Sequence, residues 1–431
     1  MFFGIKNTGK ISNAEIELNG ITVIAGFNNT GKSTVGKMLF CLFNSFYNLE
    51  NQIRQERRNL IEGAIGSEYY LYPRQVDTSI ETDSPAEYIL NKSADYSSIS
   101  DLCDDIKRLS NEENWVNVDF VSPENDGVHL RIAESIMRIL NISDDEIFVT
   151  VLERRLFSEF NMQINNRLTP GLVSEVALSL KDAEISILIN DEKRSIEVNN
   201  HISLNTEVLY IDNPFALDDR IGVRLGSGNH RAHLKTKLLQ KREISPVKEA
   251  FGSIIVTKRL EKVLAQVDKV CKQGRLVSKS GLAGSPVAFQ EGNADVLLDM
   301  KNVSTGLKTF VIIKTLLING SLEENGILVL DEPEIHLHPE WQLIFAELIV
   351  LIQKEFNMHI LLNTHSPYFL DAIDVFSRKY GIAGKCKYYL AEEHDGLATI
   401  SDVSSNIEKI FEKLARPLQV LENMRYSDDS N

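Results

Sequence analysis

The sequence predicts an α/β fold: a mostly parallel core sheet, an antiparallel side sheet and helical insertions. Three short apolar runs carry that expectation, at residues 21–25 (Ile-Thr-Val-Ile-Ala), 327–330 (Ile-Leu-Val-Leu) and 360–362 (Ile-Leu-Leu). Each runs directly into glycine-rich or polar residues. Continuous apolar strands are buried on both faces, and in open α/β sheets the residues just past their C-terminal ends form the site.

Residues 1–25 alternate and then become continuously apolar (Ile11, Ile16, Leu18, Ile21, Val23, Ile24), which reads as hairpin strands feeding a buried one. Residues 26–33 follow as Gly-Phe-Asn-Asn-Thr-Gly-Lys-Ser, a complete G-x-x-x-x-G-K-S phosphate-binding loop. Gly26 and Gly31 let the backbone curl so that successive N–H groups point inward as an anion nest. Val35, Met38, Leu39, Leu42, Phe43 and Phe46 then recur at helical spacing. The helix start adds the positive end of its dipole, Lys32 a full charge near the β/γ-phosphates, and Ser33 a hydroxyl for Mg²⁺. A chance glycine turn would lack the strand before it and the helix after it. With Asn28, Asn29, Thr30 and Thr34 in the same turn, these residues are the candidate set for binding a nucleoside triphosphate.

Residues 45–170 read as a mostly helical insertion, with amphipathic pieces at 50–62, 128–140 and 145–162 and no chemical motif. Residues 186–190, 195–198 and 208–211 are short strands between Asp/Glu/Asn turns, suited to the antiparallel side sheet. Asp212-Asn213-Pro214 reads as an Asx-capped turn. Residues 231–272 hold 11 Lys/Arg against 4 Asp/Glu, a net of +7, while residues 81–114 hold 3 against 9, a net of −6. In the basic stretch Leu234, Leu238 and Leu239 mark one helix. Val256, Leu260, Val263, Val267 and Val270 mark a second with a coiled-coil-like seam, and Ser245-Pro246 divides the two. The expectation is a basic helical hairpin arm. It is either a solvated face or a contact for nucleic acid or for the acidic face of a partner.

Asp331, at the end of its strand, is the candidate to hold Mg²⁺, and Glu332 the candidate to orient or deprotonate the attacking water. The last apolar run ends in Thr364-His365-Ser366-Pro367. Alone, His365 reads as a loop histidine; after this strand and with both other motifs in order, it is a candidate to contact the γ-phosphate and the water. Lys32, Glu332 and His365 are therefore the candidate catalytic residues, and Ser33 and Asp331 the candidate metal ligands.

The loop at 26–33, Asp-Glu-Pro-Glu-Ile-His-Leu-His-Pro at 331–339 and Asn-Thr-His-Ser-Pro at 363–367 together resemble the ABC-type ATPase heads. The resembling branch contains the overcoming-lysogenisation-defect (OLD) ATPases, RecF-like proteins and the ATPase subunits of anti-phage systems such as Septu and PARIS. The resemblance covers about residues 1–45 and 170–390. It implies one further element, an ABC signature: Ser304 and Gly306 in the stretch 302–308 match it, while Leu307-Lys308 replace the usual Gln or Glu. This stretch opens an apolar helix (Phe310, Ile312, Ile313, Leu316, Leu317), so it is also a helix N-terminus with a Ser N-cap. In ABC-type heads the signature of one subunit covers the nucleotide of the other. One set of motifs per chain thus implies a homodimer, or a larger oligomer built from dimers, closed around ATP and opened by its hydrolysis. The resemblance also implies an anti-phage defence ATPase acting on a separate nuclease or toxin effector. OLD proteins carry a C-terminal Toprim nuclease, and the roughly 65 residues after His365 show no acidic Toprim pattern. A RecF-like DNA-repair ATPase using the basic arm is the alternative. A transporter subunit ranks last, because its signature and Q-loop would be better formed.

At 431 residues the chain has room for two or three units. The expected division is a head at 1–45, 170–228 and 273–395, a helical insertion at 46–169, the arm at 229–272 and a C-terminal helical tail at 396–431. No apolar run approaches the ~20 residues of a membrane span, and the N-terminus lacks the basic-then-apolar pattern of a signal peptide. Cys41, Cys103, Cys271 and Cys386 show no C-x-x-C spacing. A cytoplasmic protein without a membrane partner, disulfides or structural zinc is expected. The net charge of −15 is unfavourable on average for wrapping nucleic acid. His336 and His338 form a His-x-His, which the resemblance places in a D-loop at the dimer interface rather than on a metal. His230 and His233 have no carboxylate cluster nearby, which argues against a nuclease centre. Lys6 and Asn7 lie where family members reach the nucleotide, and Gln75 is the nearest Q-loop candidate.

Overall fold

The computed structural model describes residues 1–68, 84–111, 126–181, 183–218, 228–240, 246–278, 287–292 and 296–428. They form two compact units, Met1–Phe46 with Glu153–Asn431, and Tyr47–Leu152.

The larger unit opens with the hairpin β1 (Phe2–Thr8) and β2 (Ile11–Glu17), then β3 (Ile21–Gly26), all six residues of which are buried, and helix α1 (Lys32–Phe46). The smaller unit holds α2 (Leu49–Glu68), α3 (Pro85–Asn91), α4 (Ile99–Asn111) and α5 (Asp126–Leu140), and α6 (Asp144–Phe160) returns the chain to the larger one. Its helices close over a core of their own that includes Ile61, Ile89, Leu102, Ile106, Ile132 and Ile136. Ser84 caps α3 by accepting from Glu87 N–H, with Pro85 at the first helical position where its missing N–H costs nothing. The larger unit continues through β4 (Ser174–Ser179), β5 (Glu184–Asn190), β6 (Ser195–Asn199), β7 (Val208–Ile211), α7 (His230–Leu239), α8 (Pro246–Cys271), β8 (Arg275–Ser278), β9 (Val287–Gln290) and β10 (Leu297–Asp299). It ends with α9 (Thr305–Ile318), β11 (Ile327–Asp331), α10 (Pro339–Phe356), β12 (His359–Thr364), α11 (Pro367–Lys379), β13 (Cys386–His394), β14 (Leu397–Asp402) and α12 (Glu408–Asp428).

Core and side sheets are present as one continuous 11-stranded sheet, in the order β6-β5-β4-β1-β2-β14-β13-β3-β12-β11-β7, and β8 to β10 form a small antiparallel sheet. From β13 through β3, β12 and β11 to β7 every pairing is parallel. From β2 to β6 every pairing is antiparallel.

Three expectations are corrected. Residues 208–211 belong to the parallel edge of the core, paired with β11, and not to the side sheet. All four are buried, the mark of a strand covered on both faces. Residues 397–402, assigned to a helical tail, form a strand inside the sheet between β13 and β2. The helix pair at 229–272 is not a free-standing arm. Leu234, Leu238, Val263, Val267 and Val270 lie in the main hydrophobic core, and Gln266 of α8 bonds Ile344 and Glu347 of α10. The seam that resembles a coiled coil is the face of α8 turned to the head. Val256's side chain, Lys241 and Arg242 lie outside the described residues.

Candidate nucleotide-binding site

The phosphate loop joins β3 to α1. A Cβ on Gly26 would sit 2.5 Å from the Ala391 carbonyl of β13, so only glycine fits, and Gly31 and Asn29 hold the left-handed φ of +83° and +66° that curls the loop. Thr30 ties the turn to the Phe27 carbonyl at 2.8 Å. Lys32, 4% exposed, donates to the carbonyls of Gly26 (3.1 Å) and Phe27 (2.8 Å). Its Nζ stands 3.6 Å from Glu332 Oε1. Burial lowers the Lys32 pKa, and the charges of Glu332 and Asp331 act against that shift. Two segments three hundred residues apart thus meet on one ammonium.

They meet because β3, β12 and β11 are adjacent and parallel, so their C-terminal ends lie together. Asp331 closes β11. Its Oδ2 accepts from the Tyr210 hydroxyl at 2.7 Å and its Oδ1 from Asn363 Nδ2 at 2.9 Å. Glu332 follows with φ +49°, in the left-handed region that residues other than glycine enter at some cost. It is held there by its own N–H on the Asn363 carbonyl at 2.9 Å. His365 Nδ1 lies 3.6 Å from the same Glu332 oxygen that faces Lys32. Glu334, 2% exposed, accepts from the Thr364 hydroxyl and, at 3.3 Å, from the His365 N–H. Burial raises its pKa, against those bonds.

A cavity of about 180 Å³ adjoins these groups, lined among others by Ser33, Asp212, Asp331, Glu332, His336 and Thr309. The donor set suits a nucleoside triphosphate with a divalent cation. There is a curled N–H loop and a buried ammonium for the phosphates, and one hydroxyl and one carboxylate, both oxygen ligands, for the metal.

The signature candidates lie elsewhere. Ser304 occupies the N-cap position of α9, but its hydroxyl makes no capping bond and is exposed. Gly306 is buried, and a Cβ there would meet the His336 carbonyl at 2.9 Å and the Trp341 ring at 3.3 Å. Neither lines the cavity. Lys308, in the stretch where the signature departs from pattern, is 2% exposed and paired with Asp218 at 2.6 Å. His336 packs edge-on against Phe215, and His338 caps α10 through Glu340 N–H. Lys6 pairs with Glu175 on the surface, and Asn7 takes a left-handed turn at the end of β1. Asn28 is exposed at the tip of the loop, and Thr34 lies in the first turn of α1, where its hydroxyl nears Gly9. Gln75 lies outside the described residues.

Sequence reasoning passed over Tyr210, Asn363, Asp212 and Glu334. A tyrosine in a fully buried strand signals that its hydroxyl has a partner, and that signal was there to read. The carboxylates around the two histidines were not. His230 Nδ1 lies 2.6 Å from Glu159 and its Nε2 3.2 Å from Asp212, and His233 lies 2.9 Å from Glu207. The carboxylates missing from the neighbouring sequence are supplied by α6 and by the two ends of β7. They surround the two histidines with buried carboxylates; among the described residues no group of three or more His, Cys, Asp or Glu side chains is placed to hold a metal ion.

Comparison with known proteins gives the family. A profile of the AAA ATPase domain matches residues 1–370, and the chain belongs to that family. It is 31% identical over 108 residues to the probable ATPase of retron Ec83 from Escherichia coli, covering 21% of this chain and 19% of that one. It is 32% identical over 83 residues to the probable ATPase of retron Vc95 from Vibrio cholerae serotype O1 biovar El Tor, covering 17% of this chain and 16% of that one. The matches thus span less than a fifth of either retron protein. An SMC head bound to the C-winged helix domain of ScpA aligns with a TM-score of 0.42 and 11% identity, over 95% of this chain and 98% of that one. No helix among the described residues is long and apolar enough to cross a membrane.

Proposed function

We propose that this member of the AAA ATPase domain family binds ATP with Mg²⁺, hydrolyses it, and uses the cycle to open and close a homodimer. The observation that carries the reading is the convergence of Lys32, Ser33, Asp331, Glu332 and His365 at the ends of three adjacent parallel strands. Phosphoryl transfer to water needs positioning and charge neutralisation more than covalent chemistry. The loop N–H groups and Lys32 bind and orient the β- and γ-phosphates. Ser33 and Asp331 would hold the Mg²⁺, which when bound neutralises phosphate charge. Glu332 lies between Lys32 and His365, placed to orient the attacking water and take its proton, and Glu334 holds the His365 backbone in register.

Ser304, exposed and with no capping bond, and the start of α9 suit contact with nucleotide held by a second copy. The motif order resembles anti-phage ATPase subunits, which supports a role in bacterial defence with a separate effector, and two relatives, matched over less than a fifth of their length, are named as probable ATPases of retrons. Less supports the DNA-repair alternative: five of the eleven basic residues of the stretch, Arg231, Lys237, Arg259, Lys262 and Lys269, pair with Asp212, Glu207, Glu324, Glu355 and Glu347 of the same unit.

The test is turnover by the purified chain with Mg·ATP, alongside Glu332→Gln and sedimentation in ATP. Glu332→Gln should bind ATP, fail to turn over, and accumulate as dimer. Unchanged turnover in that variant sinks the assignment of Glu332, and a fully active monomer sinks the shared site.

A further inference from the structure

We propose that Tyr210 is the positioning residue of Asp331, aiming its carboxylate at the metal end of the site, and that Gly36 and His230 hold the phenol in place. The inference rests on the reading of Asp331 as the metal-holding carboxylate. Three independent observations carry it. The Tyr210 hydroxyl donates to Asp331 Oδ2 at 2.7 Å, and Tyr210 is fully buried. The same phenol reaches across to the phosphate-loop helix. Its oxygen lies 3.5 Å from the Ser33 carbonyl, and a Cβ on Gly36 would come within 3.3 Å of Tyr210 Cζ and 2.8 Å of Val329. A glycine one helical turn past the loop therefore leaves room for the ring between α1 and β11. Behind the ring, His230 stacks on it with centroids 4.3 Å apart and planes at 25°, and Phe40 packs against the His230 edge at 6.1 Å. His230 is itself fixed. Glu159 accepts from its backbone N–H at 2.9 Å and lies 2.6 Å from its Nδ1, and Asp212 lies beyond Nε2.

The consequence follows from geometry. A carboxylate at the end of a strand rotates freely unless its oxygens are engaged. Asp331 is held on one side by Asn363, from the neighbouring strand, and on the other by Tyr210, from the opposite neighbour. With one oxygen bonded to each side, the plane of the carboxylate is set before any cation arrives, and pre-set ligands lose less on binding. Removing the phenol oxygen should loosen the metal end and leave the phosphate cradle, built on backbone and Lys32, as it was.

The experiment titrates Mn²⁺ into the full chain loaded with a non-hydrolysable ATP analogue, read by electron paramagnetic resonance. Wild type, Tyr210→Phe, His230→Gln, the double variant of these two and Asp331→Asn are compared, with metal-free analogue binding measured separately. Tyr210→Phe should weaken Mn²⁺ by about three- to tenfold, the worth of one ordinary hydrogen bond, and leave metal-free analogue affinity within about twofold. His230→Gln should weaken it less, and the double variant no more than Tyr210→Phe alone, since both act through one bond. Unchanged Mn²⁺ affinity in Tyr210→Phe, with Asp331→Asn clearly weakened, overturns the proposal while the metal reading stands. Unchanged affinity in Asp331→Asn overturns the metal reading and the proposal with it.

Discussion

The phosphate cradle and the carboxylate end of the site are built in opposite ways. The cradle is local: Gly26, Asn29, Gly31 and Lys32 lie within seven consecutive residues, and the Thr30 and Lys32 side chains donate to carbonyls of the same loop. The carboxylate end is assembled. Asp331 is oriented by donors 121 and 32 residues away, and Glu334 reaches 30 residues ahead to steady the His365 loop. Damage to a local device should strip nucleotide affinity. Damage to an assembled one should spare affinity and lower turnover or metal dependence.

Substitutions at four positions and one pH titration break or sharpen that contrast. The largest effect belongs to Glu332→Gln, which should reduce turnover by about 10²- to 10³-fold with ATP affinity retained, as expected for loss of a general base. Lys32→Ala should weaken ATP binding by about tenfold or more, measured by calorimetry, because a buried charge-assisted contact to phosphate disappears. Asn363→Ala should cut turnover by about tenfold while leaving ATP affinity near wild type. If it weakens ATP as much as Lys32→Ala does, the two ends are one device and the contrast fails. Glu334→Ala should lower unfolding stability by about 1–3 kcal/mol, because the Thr364 hydroxyl and the His365 N–H lose their acceptor. Glu334→Gln, which keeps an acceptor, should recover most of that in a denaturant titration.

The smallest effect is in pH. Burial alone would lower the His230 pKa, but Asp212 and Glu159 outweigh it and raise it above the ordinary imidazole value. Burial would likewise raise Asp212, and its bonds to His230 and Arg231 instead bring it down to about 2. A raised histidine stabilises the fold below its unfolded pKa and loses that contribution as pH rises through the folded value. Melting temperature should therefore fall by about a degree or two on passing upward from about pH 6.5. His230→Gln should remove that slope, and an equal slope in the variant would assign it to another group.

The residues proposed to act on the nucleotide were readable because each sits in a contiguous pattern: a loop whose glycines dictate its backbone, and apolar runs ending in acids. Chemistry encoded within one turn of chain needs no partner to be recognised. The basic stretch shows the opposite case. A +7 segment reads as a positive surface until its acidic partners arrive from β7's flanks and from α10, and charge counted along a chain does not report charge gathered in space. Likewise Val208–Ile211 was visible as a short strand but its neighbours were not, and Leu397–Asp402 was assigned to a helical tail although it forms a strand inside the sheet. Sequence by itself picked out the phosphate loop, the three apolar runs that lead into the site, and Lys32, Asp331, Glu332 and His365 as its candidate residues. Only the tertiary structure decided that Tyr210 and Asn363 hold Asp331 from either side, that His230 is buried between two carboxylates, and that the basic helices belong to the core. A strand's pattern specifies which faces it buries, while its neighbours are chosen by the packing of the whole sheet.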